Sequence, residues 1–269
     1  MEKIRSMAKV GLAVLLGVSV LSWAGCSSAR RFDPTPEGEF EQAYYYYEKG
    51  DYTKSIDFFK QLIYKYPGSE LVEQARYYLA DSYFQNKDYI LAANEFEQLN
   101  REFPQGQFAD VALFKAGLSY SAMSRRPERD QTETRKAMET LQTLLIKYPN
   151  TEYADTVRKS VDQMKDKLAR KEFKTAQFYF DREIYESSII YLKSVISNYP
   201  ESSVMPQTLY HLCKASRYMG YPDDAEDAKA WLCRDYPDSE EAKELCRQPQ
   251  EQKINDSLTG APSGDGGTR

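Results

Sequence analysis

Between Ala43 and Pro67 the chain reads AYYYYEKGDYTKSIDFFKQLIYKYP, with apolar residues at helical spacing on both sides of a Gly-Asp-Tyr break and a Tyr-Pro at the end. The spacing predicts two amphipathic helices joined by a short turn. A shift of 37 residues lays this pattern over itself. Ala43, Ala80 and Gly117 become equivalent, as do Tyr46, Tyr83 and Tyr120, and Phe40, Tyr77 and Phe114. The second helix repeats as well, with Gly50-Asp51-Tyr52 over Lys87-Asp88-Tyr89, Ser55 over Ala92 and Phe59 over Phe96. Aromatic-proline pairs close the blocks at Tyr66-Pro67, Phe103-Pro104, Tyr148-Pro149, Tyr199-Pro200 and Tyr236-Pro237.

These positions match the tetratricopeptide pattern, in which small residues let helices A and B approach and aromatic residues fill the space beside them. Proline ends helix B because it lacks an N–H and clashes with the preceding turn. Each of the five prolines is followed within two residues by Ser, Thr or Gly, which suit a cap or turn. The predicted fold is all-α, a right-handed solenoid of about five such helix pairs with a short C-terminal capping helix. The pairs fall 37, 45, 51 and 37 residues apart, so material is inserted in the middle. One insert is the polar stretch Ser124 to Thr134. The other lengthens EYADTVRKSVDQMKDKLARKEFKTAQFYFD, which holds no Pro or Gly and predicts one long helix between two halves. The expected division is an N-terminal half over 37–150 with repeats one to three, and a C-terminal half over 151–247 with repeats four, five and the cap. Repeats four and five are degenerate, the fifth keeping little beyond Ala225 and Pro237. After Cys246 a polar, Gly- and Pro-rich tail over 248–269 is expected to be disordered.

The N-terminus departs from this pattern. MEKIRSMAK is basic, and the apolar run VGLAVLLGVSVLSW is shorter than the ~20 residues of a membrane span. Residues 1–25 therefore predict an export signal. The small residues before Cys26 in AGCSS resemble a bacterial lipobox, which makes Cys26 the lipidated first residue and 26–36 a tether, although Trp23 stands where Leu is usual. Three acyl chains would anchor the mature protein firmly. Ser27 in place of Asp implies onward transport to the outer membrane.

Charge and candidate chemistry narrow the function. The formal net charge is −5. Removing Lys3, Arg5 and Lys9 with Glu2 leaves about −7, which argues against nucleic acid as a partner. One histidine, His211, excludes a His-based metal cluster and reads as structural, and Gly-rich phosphate loops and nucleophile elbows are missing from the sequence. The expectation is a protein without enzymatic activity, cofactor or metal. Export allows disulfides among Cys213, Cys233 and Cys246. With turns near Tyr221 and Pro237, these lie about 8, 12 and 7 residues from the first turn, so at ~1.5 Å per residue Cys213 and Cys246 share a height. That pair is the expected bridge; three reduced thiols are the alternative. Helix A of repeats one to three carries Phe40, Tyr44, Tyr47, Tyr77, Phe84, Phe114 and Leu118 at helical spacing. Tyr44 to Tyr47 spans a full turn, so at least one ring points away from helix B. Such rings on the concave face predict a peptide groove.

The whole mature chain resembles the BamD family of outer membrane protein assembly factors, also called YfiO or ComL. The most specific stretch is Arg129 to Phe180, with Arg129-Asp130-Gln131, then Tyr148-Pro149-Asn150-Thr151-Glu152-Tyr153, then Leu168-Ala169 with Glu172. The resemblance implies a lipid-anchored scaffold on the periplasmic face of the outer membrane, partnered by a BamA-like barrel protein and other Bam lipoproteins. It implies unfolded outer-membrane proteins as clients, received in the N-terminal half, while the C-terminal half docks on the barrel protein. Many family members carry Arg in an AxxR of helix B in repeat four; here Ser188 leads to Tyr191. The competing reading is a periplasmic adaptor of the Tol-Pal or polysaccharide and pilus export machinery. The stretch SSARRFDPTPEGEFEQ leaves no room for the coiled coil that would favour Tol.

Overall fold

The computed structural model describes residues 32–246. The expected export signal, Cys26 with its expected lipid, and the 248–269 tail lie outside the described residues. Among the described residues eleven helices follow one another: α1 Pro36–Glu48, α2 Tyr52–Lys65, α3 Val72–Gln85, α4 Tyr89–Glu102, α5 Ala109–Met123, α6 Thr132–Lys147, α7 Ala154–Phe180, α8 Tyr185–Asn198, α9 Met205–Met219, α10 Pro222–Asp235 and α11 Glu240–Leu245. They form five A/B pairs and a cap, each helix packing on the next along the chain. Helices A of neighbouring repeats also touch, α1 with α3, α3 with α5 and α7 with α9. The helices A thus line the inner side of the solenoid.

The repeat positions do the work that the pattern predicts. Ala43, Ala80, Ala92, Phe59 and Phe96 are fully buried at the A/B seams. At Gly117 the seam leaves no room for a Cβ, which would stand 2.4 Å from the Leu141 side chain. The turn from helix A to helix B uses one left-handed residue at the same place in four repeats, two positions before helix B: Gly50, Lys87, Glu183 and Gly220. The aromatic-proline turns are equally regular. The N–H of Ser69, Gly106, Thr151, Ser202 and Ser239 donates back to the carbonyl of Tyr66, Phe103, Tyr148, Tyr199 and Tyr236 in turn. A small residue at that position lets the next helix A start at once.

The polar insert of repeat three is ordered against the long helix α7. Gln131, buried, donates to the Arg126 and Arg129 carbonyls at 2.7 and 3.1 Å. Three lysines on one stripe of α7 hold the loop from outside. Lys167 reaches Ser124 Oγ at 2.5 Å, Lys171 reaches the Glu128 carbonyl at 3.1 Å, and Lys174 pairs with the Glu128 carboxylate. Helix α7 also shows where the two halves meet. Val157, Val161 and Met164 belong to the core of repeat three, whereas Ala169, Phe173 and Ala176 belong to the C-terminal core. The change of core therefore falls inside α7, and one continuous helix contributes to both cores.

The expected Cys213–Cys246 bridge is corrected by the structure. The disulfide joins Cys233 to Cys246, with Cα atoms 5.9 Å apart, and Cys213 is a free, fully buried thiol. Height along a helix is only one of its two coordinates. Cys213 points inward with Leu209, Leu212 and Ser216, while Cys233 sits on the half-buried edge of α10. Helix α11 is six residues long and packs on both α9 and α10, so Cys246 meets the outer sulfur.

Candidate peptide groove

Phe40, Tyr44 and Tyr47 recur four and three residues apart on α1 and share one face of it. Tyr44 lies between the other two, its ring centre 6.1 Å from Phe40 and 5.9 Å from Tyr47, both in stacked orientation. Tyr78 of α3 stands edge-on to all three, at 6.1, 4.9 and 5.1 Å. Edge-to-face contacts of this kind add about 0.5–1.5 kcal/mol each beyond area burial, so the rings form a fixed wall. Every one of them is half-buried and keeps part of its surface in solvent.

The other predicted residues extend this surface unevenly. Phe40 also packs on Phe59 at 5.6 Å, Tyr77 on Phe96 at 6.0 Å and Phe108 at 4.6 Å, and Phe114 stacks on Tyr153 at 4.4 Å. These three equivalent rings thus wedge a repeat against its own helix B or the next repeat. Phe84 lies edge-on to Tyr89 at 5.4 Å, and Leu118 is half-buried further along the same side. The structure brings Phe40, Tyr44 and Tyr47 together, with Phe84 one repeat away. Phe114 and Leu118 belong to the far end.

A polar bridge ties the three helices A together, and the aromatic pattern alone does not reveal it. Asp81 of α3 is 3% exposed. Its carboxylate accepts from the Tyr47 hydroxyl of α1, from Lys115 Nζ of α5 at 2.9 Å and from Gln85 Nε2 at 3.3 Å. Lys115 Nζ also lies 5.3 Å from the centre of the Phe84 ring. The donors and the ammonium compensate the burial of the carboxylate. Burial, followed by the hydrogen bond to Asp81, holds the Tyr47 phenol far above its ordinary range. Tyr77 is pushed up to about 12, first by burial and then by the Asp81 charge. One signal for this bridge is present in the repeat alignment: the 37-residue shift sets Asp81 over Tyr44 and Leu118, an acid in an apolar stripe.

This inner face offers ring edges, phenol hydroxyls and one internally neutralised charge pair. His211 lies elsewhere, edge-on to Phe173, Phe180 and Tyr210 at 5.3, 5.0 and 5.4 Å, with Nδ1 2.8 Å from the Gln207 carbonyl. Burial pushes its pKa down. Among the described residues no group of three or more His, Cys, Asp or Glu is placed to hold a metal ion, and no helix is long and apolar enough to cross a membrane.

Fold and groove together define a tetratricopeptide solenoid with an aromatic concave face. Residues 33–232 match the family model YfiO, described as an outer membrane lipoprotein, and the chain belongs to that family. It is similar to the outer membrane protein assembly factor BamD of Rickettsia prowazekii, 26% identical over 71% of this chain and 76% of the relative. The BamD of Vibrio cholerae is 27% identical over 81% of this chain and 95% of its own length, and that of Haemophilus influenzae 25% over 85% and 89%. Among solved structures, the TPR2AB-domain:pHSP90 complex of yeast Sti1 aligns with a TM-score of 0.42 at 12% identity, over 77% of this chain and 80% of that one.

Proposed function

We propose that this protein is a lipid-anchored periplasmic scaffold of outer-membrane β-barrel assembly, acting with a BamA-like barrel protein and other Bam lipoproteins. Cys26 carries the lipid and holds the solenoid at the periplasmic face of the outer membrane. The N-terminal half receives unfolded clients through their terminal strand, and the C-terminal half docks on the barrel protein. The observation that carries this reading is the half-exposed wall of Tyr44, Tyr47 and Tyr78 beside the Asp81 bridge, in a chain whose relatives are named assembly factors. A client strand with an aromatic end is an extended apolar peptide, and ring edges give it contact area without demanding one sequence.

The reading is tested with a fluorescent peptide copied from the last strand of an outer-membrane barrel protein of the same organism. The mature chain is expected to bind it, and Tyr44→Ser to weaken binding about tenfold, roughly one lost aromatic contact site, with an unchanged circular dichroism spectrum. Equal binding by the wild type and the variant removes the groove from the mechanism. In cells, Cys26→Ser is expected to move the protein from the membrane fraction to the soluble periplasm; retention in the membrane would refute the lipid anchor.

A further inference from the structure

In repeats two and three, two adjoining positions of helix A turn toward the helix B of the repeat before. Ser82 is fully buried, its Oγ 3.0 Å from Ser55 Oγ of α2, and the buried Tyr83 has Lys60 Nζ of α2 5.2 Å from its ring centre. Ser119 and Tyr120 are buried in the same way on α5, with Tyr120 beside Glu97 of α4. The 37-residue shift sets Tyr45 and Tyr46 of α1 at these positions. Among the described residues no earlier helix B precedes α1 to receive them, so they mark the open end of the stack.

The terminal repeat of a solenoid ordinarily presents a polar outer face. Here that face carries a row of rings. Tyr45 and Tyr46 lie edge to face at 5.4 Å, Tyr46 stacks on Phe58 of α2 at 5.2 Å, and Phe32 lies 6.0 Å from Tyr45. All four are half-buried. The counterpart of Phe58 in repeat two is Glu95, ion-paired to Arg76 at 3.2 Å. Lys49 Nζ stands 5.6 Å from the centre of the Tyr45 ring and Lys54 Nζ 5.0 Å from that of Tyr46, and both lysines are exposed. Helical geometry puts Tyr45 and Tyr46 on the opposite side of α1 from Tyr44 and Tyr47, so this row is separate from the inner wall.

We infer that this row seats the first repeat on the phospholipid surface to which the chain is tethered. The inference rests on the reading of Cys26 as the lipidated residue, and it adds an orientation to that anchor. Six residues of chain lead from Cys26 to Phe32, and at about 3.3–3.6 Å each they reach roughly 20 Å. Phe32 packs on Tyr45, so the row is the surface that the tether holds against the bilayer. Tyrosine suits the headgroup level, with an apolar ring and a polar hydroxyl. A lysine over such a ring keeps its stem on the apolar surface and extends its ammonium to lipid phosphate. Charge does not select the occupant, since Glu41, Glu48 and Asp51 accompany Lys49 and Lys54 in this repeat. The rings and the short tether select it. With the open end on the membrane, the inner wall of Tyr44 and Tyr47 faces away from the lipid.

The test uses the mature chain, purified from cells and reconstituted in vesicles of phosphatidylethanolamine and phosphatidylglycerol whose acyl chains carry bromine, a short-range quencher of tryptophan. Once residues 1–25 are removed, Trp231 in the last repeat is the one tryptophan, and its emission is expected to be equal in brominated and plain vesicles. Tyr45→Trp should add emission that bromine lowers about twofold. Ile146→Trp, at an 80% exposed site on α6, is the control and should add emission that bromine leaves unchanged. Phe58→Ser combined with Tyr45→Trp should recover at least half of the quenched signal, because the row and not the tether alone holds the ring in the lipid. Circular dichroism reports that each variant is folded. An acylated chain whose Tyr45→Trp emission is unquenched, is quenched no more than the control, or is unaffected by Phe58→Ser overturns the inference and leaves the anchor standing. A mass spectrum showing Cys26 without acyl groups refutes the anchor itself, and the inference falls with it. Dimerisation without vesicles that Tyr45→Ser abolishes would make a second copy the occupant of the row, and would also overturn the inference.

Discussion

Single residues in this solenoid are placed by backbone demands as much as by packing. The A-to-B turn needs a left-handed residue, and two repeats supply glycine there while two supply Lys87 and Glu183, at φ of 66° and 59°. A non-glycine residue in that conformation costs about 1–2 kcal/mol, and glycine returns roughly half of that through its looser unfolded state. Lys87→Gly and Glu183→Gly are therefore each expected to stabilise the protein by about 0.5–1 kcal/mol, a rise in melting temperature of roughly 2–3 °C for a chain of this size. A fall in the calorimetric melting temperature would mean that the two side chains hold the turn by contacts stronger than the strain. Gly117 makes the opposite point. Its φ is ordinary, but its missing Cβ leaves room for Leu141, so here glycine answers a packing demand.

At the scale of helices, the parts legible in the sequence are those that depend on spacing along the chain. Recurrent Ala43 and Ala80, the aromatic-proline stops and the stretch without Pro or Gly place the helix pairs and the long α7, because each is a local rule that a one-dimensional pattern carries. Contacts set by rotation about a helix are not legible in this way. Cys213 and Cys233 differ in the face they present, and the Asp81 bridge joins residues 34 positions apart on three helices. The Cys233–Cys246 bond closes a short loop around the cap, and in the chain-entropy picture a loop of this size stabilises by about 3 kcal/mol. Most of that effect is local, since α11 lies at the end of a stack whose repeats touch only their neighbours. Cys246→Ser is expected to make the segment after Tyr236 sensitive to limited proteolysis, while the melting of repeats one to three is unchanged. Loss of structure throughout would show that the cap nucleates the stack.

For the whole molecule, the two faces of each helix A must be separated before function can be tested. Phe40, Tyr77 and Phe114 occupy equivalent positions, and each packs on another ring, Phe59, Phe96 or Tyr153. Removal of such a ring creates a cavity and costs about 3 kcal/mol or more at a buried site, less at these half-buried ones. Tyr44 sits a turn further along α1 and meets Tyr78 of the next repeat across the inner side. A combined Phe40→Ala, Tyr77→Ala and Phe114→Ala variant is therefore expected to lose melting temperature by more than 10 °C, with client binding reduced only as the fold is lost. Tyr44→Ser should keep its melting temperature within a few degrees and lose binding. The two variants compared by calorimetry and by peptide anisotropy separate structural rings from recognition rings. A stable triple variant that no longer binds peptide would reverse the assignment and make the wedge residues the recognition surface.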